Sequence, residues 1–200
     1  MAGYPQEYNK IMPLLALTLI CCVTRLVLLE LLHYQYPTFN ITRNTVSDYG
    51  ADTKSRNLFI ASHLSSIFAY VFLFSYLLTK KLTDAWPIYI LGIAIIGSIL
   101  ILFYPTDMTG SKRPTKTGVI HWLLAIINFT TIFVFIVNIY QPSSVVLTVV
   151  TWLVRITFYS FVLVVIIPKL RRISIGLFER LFLVSIPVWL IVYCLSNLPH

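Results

Sequence analysis

The chain has 200 residues, 58% of them hydrophobic and 11% charged, with a mean hydropathy of +0.85. A soluble domain carries about 25% charged residues, so this inventory cannot build a water-exposed surface and excludes a soluble globular fold. The formal charge of +8 comes from Lys and Arg grouped in short segments between apolar runs, a pattern of membrane topology and anionic headgroups that excludes nucleic acid as a partner.

A spanning helix needs roughly 20 mostly apolar residues. Six segments meet that length: Ile11–Leu32, Leu58–Leu78, Pro87–Tyr104, Gly118–Tyr140, Ser144–Ile167 and Leu177–Leu198. The breaks between them are rich in Pro, Gly, Ser, Thr and charge, as loops are. Pro87 suits a helix start, where its missing N–H is not needed. No repeat, low-complexity tract or linker interrupts the pattern. The fold class is therefore all-α, a polytopic bundle of six transmembrane helices in one domain, residues 1–200.

The N-terminus has only Lys10 ahead of the first apolar run and no small-residue cleavage site, so the first segment reads as a retained helix rather than a removed signal peptide. Cys21, Cys22 and Cys194 lie inside apolar runs without ligand spacing and read as small buried thiols.

Six spans put both termini on one side of the membrane with loops two and four. That side carries three basic residues, Lys10, Lys80 and Lys81, against nine in loops one, three and five. The nine are Arg43, Lys54, Arg56, Lys112, Arg113, Lys116, Lys169, Arg171 and Arg172. The positive-inside rule then places the odd loops in the cytoplasm and the termini outside. The sequon Asn40-Ile41-Thr42 would matter only with loop one in a eukaryotic lumen, against that bias.

Ionisable groups inside a bilayer are costly unless paired or wet, so each is a functional candidate. Asp48 lies in the polar stretch Asn44–Gly50 of loop one, and Asp107 follows the third segment in Tyr104-Pro105-Thr106-Asp107. At 1.5 Å per residue, His63 and His121 fall within about 5–8 Å of the odd-loop surface, with Arg25 and Arg155 deeper. Every such group reaches the odd-loop half of the bundle, and the other half has no intramembrane charge.

Helical spacing puts His63, Ser66 and Tyr70 on one stripe, His121 and Asn128 on another, and Thr148, Trp152, Arg155 and Tyr159 on a third. The reading is a narrow polar cleft opening toward loops one and three. Glu30 and the pair Glu179-Arg180 lie near segment ends and read as interfacial.

Two chemistries fit this inventory. Acid–base catalysis would use Asp48, Asp107 and His121, with Ser47, Arg25, Arg155 and Tyr159 binding an anionic, lipid-like substrate. Alternatively His63, His121 and Asp48 would hold a divalent metal such as zinc with a water in the open position, although no compact ligand motif is present. Each aspartate alone also reads as a turn residue. A non-enzymatic carrier, or a subunit packing against a membrane protein partner or a second copy, is the other class of function. The absence of an evident inverted repeat counts against a self-contained carrier.

The run Asn44-Thr45-Val46-Ser47-Asp48-Tyr49-Gly50, then Arg56-Asn57-Leu58-Phe59, Tyr104-Pro105-Thr106-Asp107 and His121, resembles the membrane family catalogued as domain of unknown function number 998. The likeness extends over most of the chain. More distantly, the Ser-Asp-x-Gly loop is similar to six-span proteins of the damage-regulated autophagy modulator group, which includes relatives implicated in lipid-anchor remodelling. The resemblance implies six helices and marks Ser47, Asp48, Asp107 and His121 as positions to test. It implies no established activity.

Overall fold

The computed structural model describes residues 4–80, 86–111, 113–139 and 144–198, with the side chains of residues 4–10 left aside. Its helices are α1 (Tyr4–Gln35), α2 (Asp48–Ala51), α3 (Arg56–Thr79), α4 (Trp86–Phe103), α5 (Lys116–Ile139), α6 (Val145–Ile166) and α7 (Pro168–Asn197). There is no strand among the described residues. Six helices are long and apolar enough to cross a membrane, so the protein is a multi-pass integral membrane protein. The seventh, α2, is a single turn inside loop one.

Four of the six spans begin and end within two residues of where hydropathy puts them. Tyr140, Lys81 and Lys112 lie outside the described residues. The first helix starts earlier than expected, and the last departs most: α7 begins at Pro168, not Leu177. Proline at the first helical position needs no N–H partner and arrives with a helical φ. The following basic residues Lys169, Arg171 and Arg172 are exposed, so hydropathy does not see the helix that carries them. Thirty residues reach about 45 Å against a hydrocarbon core of about 30 Å, so the first turns of α7 extend into the headgroup zone.

Helix α1 packs against α3 and α7, α4 against α3 and α5, and α6 against α7; α5 and α6 make the sparsest contact of the neighbouring spans. Two apolar clusters result. The larger fills the half nearest the termini, around Leu15, Leu73, Leu77, Leu91, Ile136 and Trp189. The smaller, Leu29, Leu32, Val46, Tyr49 and Phe59, sits under loop one. The buried charged residues, Arg25, Asp48 and Glu179, all lie on the loop-one side of the large cluster. Buried charge, though not all buried polarity, lies in one half of the bundle among the described residues.

Candidate functional site

Loop one forms the roof of the polar half, and its own side chains shape it. Asn40 Oδ1 accepts from the Thr42 and Arg43 amides at 2.9 and 3.2 Å, an Asx-type turn that uses the short side chain in place of a backbone partner. The roof then rests on α7. The Gly176 and Leu177 amides donate to Thr42 O at 2.9 and 3.3 Å. Arg180 Nη1 donates to Ile41 O at 2.8 Å and Asn44 O at 2.6 Å. Glycine is required at 176 by this contact, because a Cβ there would lie 2.1 Å from Asn44 O.

Glu179 Oε2 accepts from the Val46 amide at 2.6 Å and is 4% exposed. Glu179, expected from sequence near a helix end, is thus buried against loop one. It stands eleven residues into α7, because the helix starts at Pro168. Tyr49 closes the side of the roof, its hydroxyl 2.8 Å from His33 Nδ1 and the Arg180 guanidinium 5.7 Å from its ring centre. Burial pushes the Tyr49 phenol up, opposed by the hydrogen bond and charge of Arg180.

Asp48 is fully buried under this roof. Its Oδ2 accepts from Asn44 Nδ2 at 3.0 Å and the Thr45 amide at 2.9 Å, and its Oδ1 from the Thr109 amide at 2.8 Å. One carboxylate thus ties loop one to loop three. Asp107 does a similar job for α5: it accepts from the Thr115 amide and hydroxyl, both at 2.8 Å, while Thr115 Oγ1 accepts from the Gly118 amide at 3.0 Å. A Cβ on Gly118 would meet Asp107 Oδ2 at 2.0 Å, so glycine lets the carboxylate reach the helix start. There it satisfies an otherwise orphan amide and meets the positive end of the helix.

His121, on the first turns of α5, is held by a 2.6 Å contact between Nδ1 and Tyr104 O. A carbonyl can only accept, so Nδ1 carries the proton and Nε2 presents a lone pair. That Nε2 is buried and has no partner, in a residue 4% exposed. By the same logic His63 donates Nε2–H to Ser98 O at 3.0 Å. Asn128, two turns beyond His121, donates to Ser98 Oγ at 2.7 Å. Arg25 donates to Ser62 Oγ.

A cavity of about 240 Å³ opens between α5 and α6, where the two helices touch least. Thr45, Ser47, Thr106, His121 and Glu179 are among its polar lining, and Phe129, Phe158, Phe161, Val162 and Val165 are among its apolar lining. The Ser47 hydroxyl makes no capping bond to α2, although Ser47 precedes that turn. A smaller space of about 30 Å³ shares Ser47, His121 and Glu179 and adds Arg25 and His63. It holds about one water. Asp107 borders a separate, more open depression with Pro114, Gly118 and Trp122.

The structure therefore brings Arg25, Ser47, His63 and His121 together, adds Glu179, and leaves Asp48 and Asp107 as supports of the two loops. Arg155 and Tyr159 stand elsewhere. Arg155 lies 4.8 Å over the Trp152 ring, and Trp152 and Tyr159 are 55% and 61% exposed on the outer face of α6. The inward stripe of α6 is Leu147, Thr151, Val154 and Thr157. Helical spacing says that residues share a face but not whether it turns inward. Aromatic side chains on an outer face meet lipid, which the stripe through Trp152 and Tyr159 accommodates.

The side chains do not fit a zinc centre. Three donors hold the Asp48 carboxylate, while His63, donating Nε2–H to Ser98 O, keeps a lone pair on Nδ1 and His121 keeps one on Nε2. Zinc sites use at least three protein ligands, and no three His, Cys, Asp or Glu converge among the described residues.

The family model described as protein of unknown function (DUF998) matches residues 19–196. No curated protein and no solved structure matches the chain, so the likeness to the damage-regulated autophagy modulator group gains no support.

Proposed function

The chain belongs to the DUF998 family, and we propose that in this member the cavity between α5 and α6 binds an anionic, lipid-like amphiphile. The observation that carries the reading is the cavity's lining, a few polar groups at Ser47, His121 and Glu179 among apolar side chains such as Phe129, Phe161 and Val165. It opens between two membrane-spanning helices, so a bilayer lipid can enter sideways without crossing water.

Arg25 and Glu179 line the same small space with opposite charges, and neither needs a ligand for overall balance. An anionic head therefore meets its countercharge at the mouth. Ile166 and Ile175 both line the cavity, and they bracket the exposed Lys169, Arg171 and Arg172. Basic side chains at the membrane surface attract anionic headgroups by about 1 kcal/mol each. The apolar cluster filling the other half of the bundle favours a one-sided site over a carrier.

Lipid processing is the extension of this reading, with His121 Nε2 as the group positioned to take a proton. Native mass spectrometry of the purified protein tests binding: wild type retains anionic lipid, and Ala125→Trp, which fills the cavity, retains at least tenfold less. A folded Ala125→Trp protein with wild-type lipid retention overturns the site. Lipid profiles of cells carrying His121→Ala test processing, and unchanged profiles with normal protein levels overturn that part.

A further inference from the structure

The polar lining of the cavity mixes donors with acceptors, the Trp122 indole and the Thr130 hydroxyl among the donors. A head bound only through phosphate oxygens wants donors, as anion sites supply from amides, Arg or Lys. His121, whose Nε2 is buried without a partner, and Glu179 are both among the residues that line the cavity. The Tyr104 carbonyl holds the His121 proton on the far nitrogen. Ser47, Thr45 and Thr106 add hydroxyls that donate or accept. A buried acceptor without a donor is costly, and native structures leave few.

Resting on the amphiphile reading above, we infer that the bound head carries a free hydroxyl, which donates to His121 Nε2 beside Glu179. The ligand class is a hydroxyl-bearing anionic lipid, such as a phosphodiester esterified to a polyol. The head's charge lies toward Lys169, Arg171 and Arg172 at the mouth and its hydroxyl reaches inward. An ammonium head would also donate to His121 and Glu179. The buried Arg25 lining the adjoining space and the basic segment at the mouth oppose a second positive charge.

The test compares two anionic phosphodiester lipids, one whose head carries free hydroxyls and one whose head carries none. Wild-type protein in detergent is titrated with phosphatidylglycerol and with phosphatidylethanol of identical acyl chains, and bound lipid is counted by native mass spectrometry. Phosphatidylethanolamine is the third arm. Phosphatidylglycerol is expected to bind about tenfold more tightly than phosphatidylethanol, which leaves His121 unpaired.

His121→Gln, whose amide can donate to Tyr104 O and still present an oxygen, keeps the preference. His121→Leu abolishes it. The lipid comparison on wild type stands without either variant if they fail to fold. Equal, saturable binding of both anionic lipids overturns the hydroxyl inference and leaves the amphiphile site intact. Preferred binding of phosphatidylethanolamine overturns it in favour of an ammonium head. No saturable binding of any of the three overturns the amphiphile reading and this inference together.

Discussion

Replacing Gly176 with alanine tests whether the roof of the site is held as described. Helix propensity alone predicts a gain, since alanine in a helix interior is favoured over glycine by about 0.8–1 kcal/mol. The packing predicts the reverse. The new Cβ would sit 2.1 Å from Asn44 O and 2.7 Å from Ile41 O, against 3.4–4 Å for ordinary contact. Both obstacles are backbone, so loop one must retreat by more than an ångström. That retreat stretches the Gly176 and Leu177 amide bonds to Thr42 O, the two Arg180 bonds to Ile41 O and Asn44 O, and the Val46 bond to Glu179. Bonds of this kind contribute about 0.5–1.5 kcal/mol, and more to charged groups; in membrane proteins the average is about 0.6 kcal/mol. Five weakened bonds less the propensity gain leave a net loss of about 2–4 kcal/mol. Unfolding of the purified protein in mixed SDS micelles measures it. Gly176→Ala equal to or more stable than wild type refutes the argument, because only propensity would then be operating.

Four further outcomes follow from the same contacts. Asp48→Asn places an amide among three donors and should cost about 1–3 kcal/mol in the same unfolding assay; full stability with altered lipid profiles would make Asp48 catalytic rather than structural. Gly118→Ala should displace Asp107 from the start of α5 and cost about 1 kcal/mol, the value of a lost helix cap, and an unchanged midpoint would show that Asp107 does not cap. Arg155→Ala should change anionic lipid binding by less than twofold, since its guanidinium lies over Trp152 on the outer face of α6; a tenfold loss would return Arg155 to the site. Lys54→Cys should resist a membrane-impermeant maleimide in intact cells and react after lysis, as the charge bias places loop one in the cytoplasm; labelling in intact cells reverses the orientation.

Hydropathy located four of the six spans to within two residues because lipid imposes one demand on every turn, and composition records it. It missed the start of α7 because Lys169, Arg171 and Arg172 are charged and lie at the headgroup level, where helix and loop have the same hydropathy. That error carried into the site. Counted from Leu177, Glu179 reads as an interfacial residue; counted from Pro168 it is buried beside His121. Proline directly after a β-branched apolar run was the available signal.

Depth was legible and direction was not. Residue counting placed Arg25, His63 and His121 in one half of the bundle, and they meet there because a membrane helix maps sequence position onto depth. Arg155 shares their half but not their company, since rotation about the helix axis is set by neighbours that one helix does not encode. On α6 a mostly small or β-branched stripe, Thr151, Val154 and Thr157, packs against α7, and the larger Trp152 and Tyr159 are left to lipid. Small residues favour close helix approach in membranes, so the inward face of α6 could have been assigned by residue size where polarity pointed outward. The same criterion gives Asp48 and Asp107 their places. Each carboxylate lies where a loop must close on a helix start, Asp107 against Gly118, and Asp48 on the turn whose roof rests against Gly176. In this chain glycines mark the close approaches, the carboxylates tie the loops that meet there, and His121 lines the cavity with its Nε2 buried and unpaired.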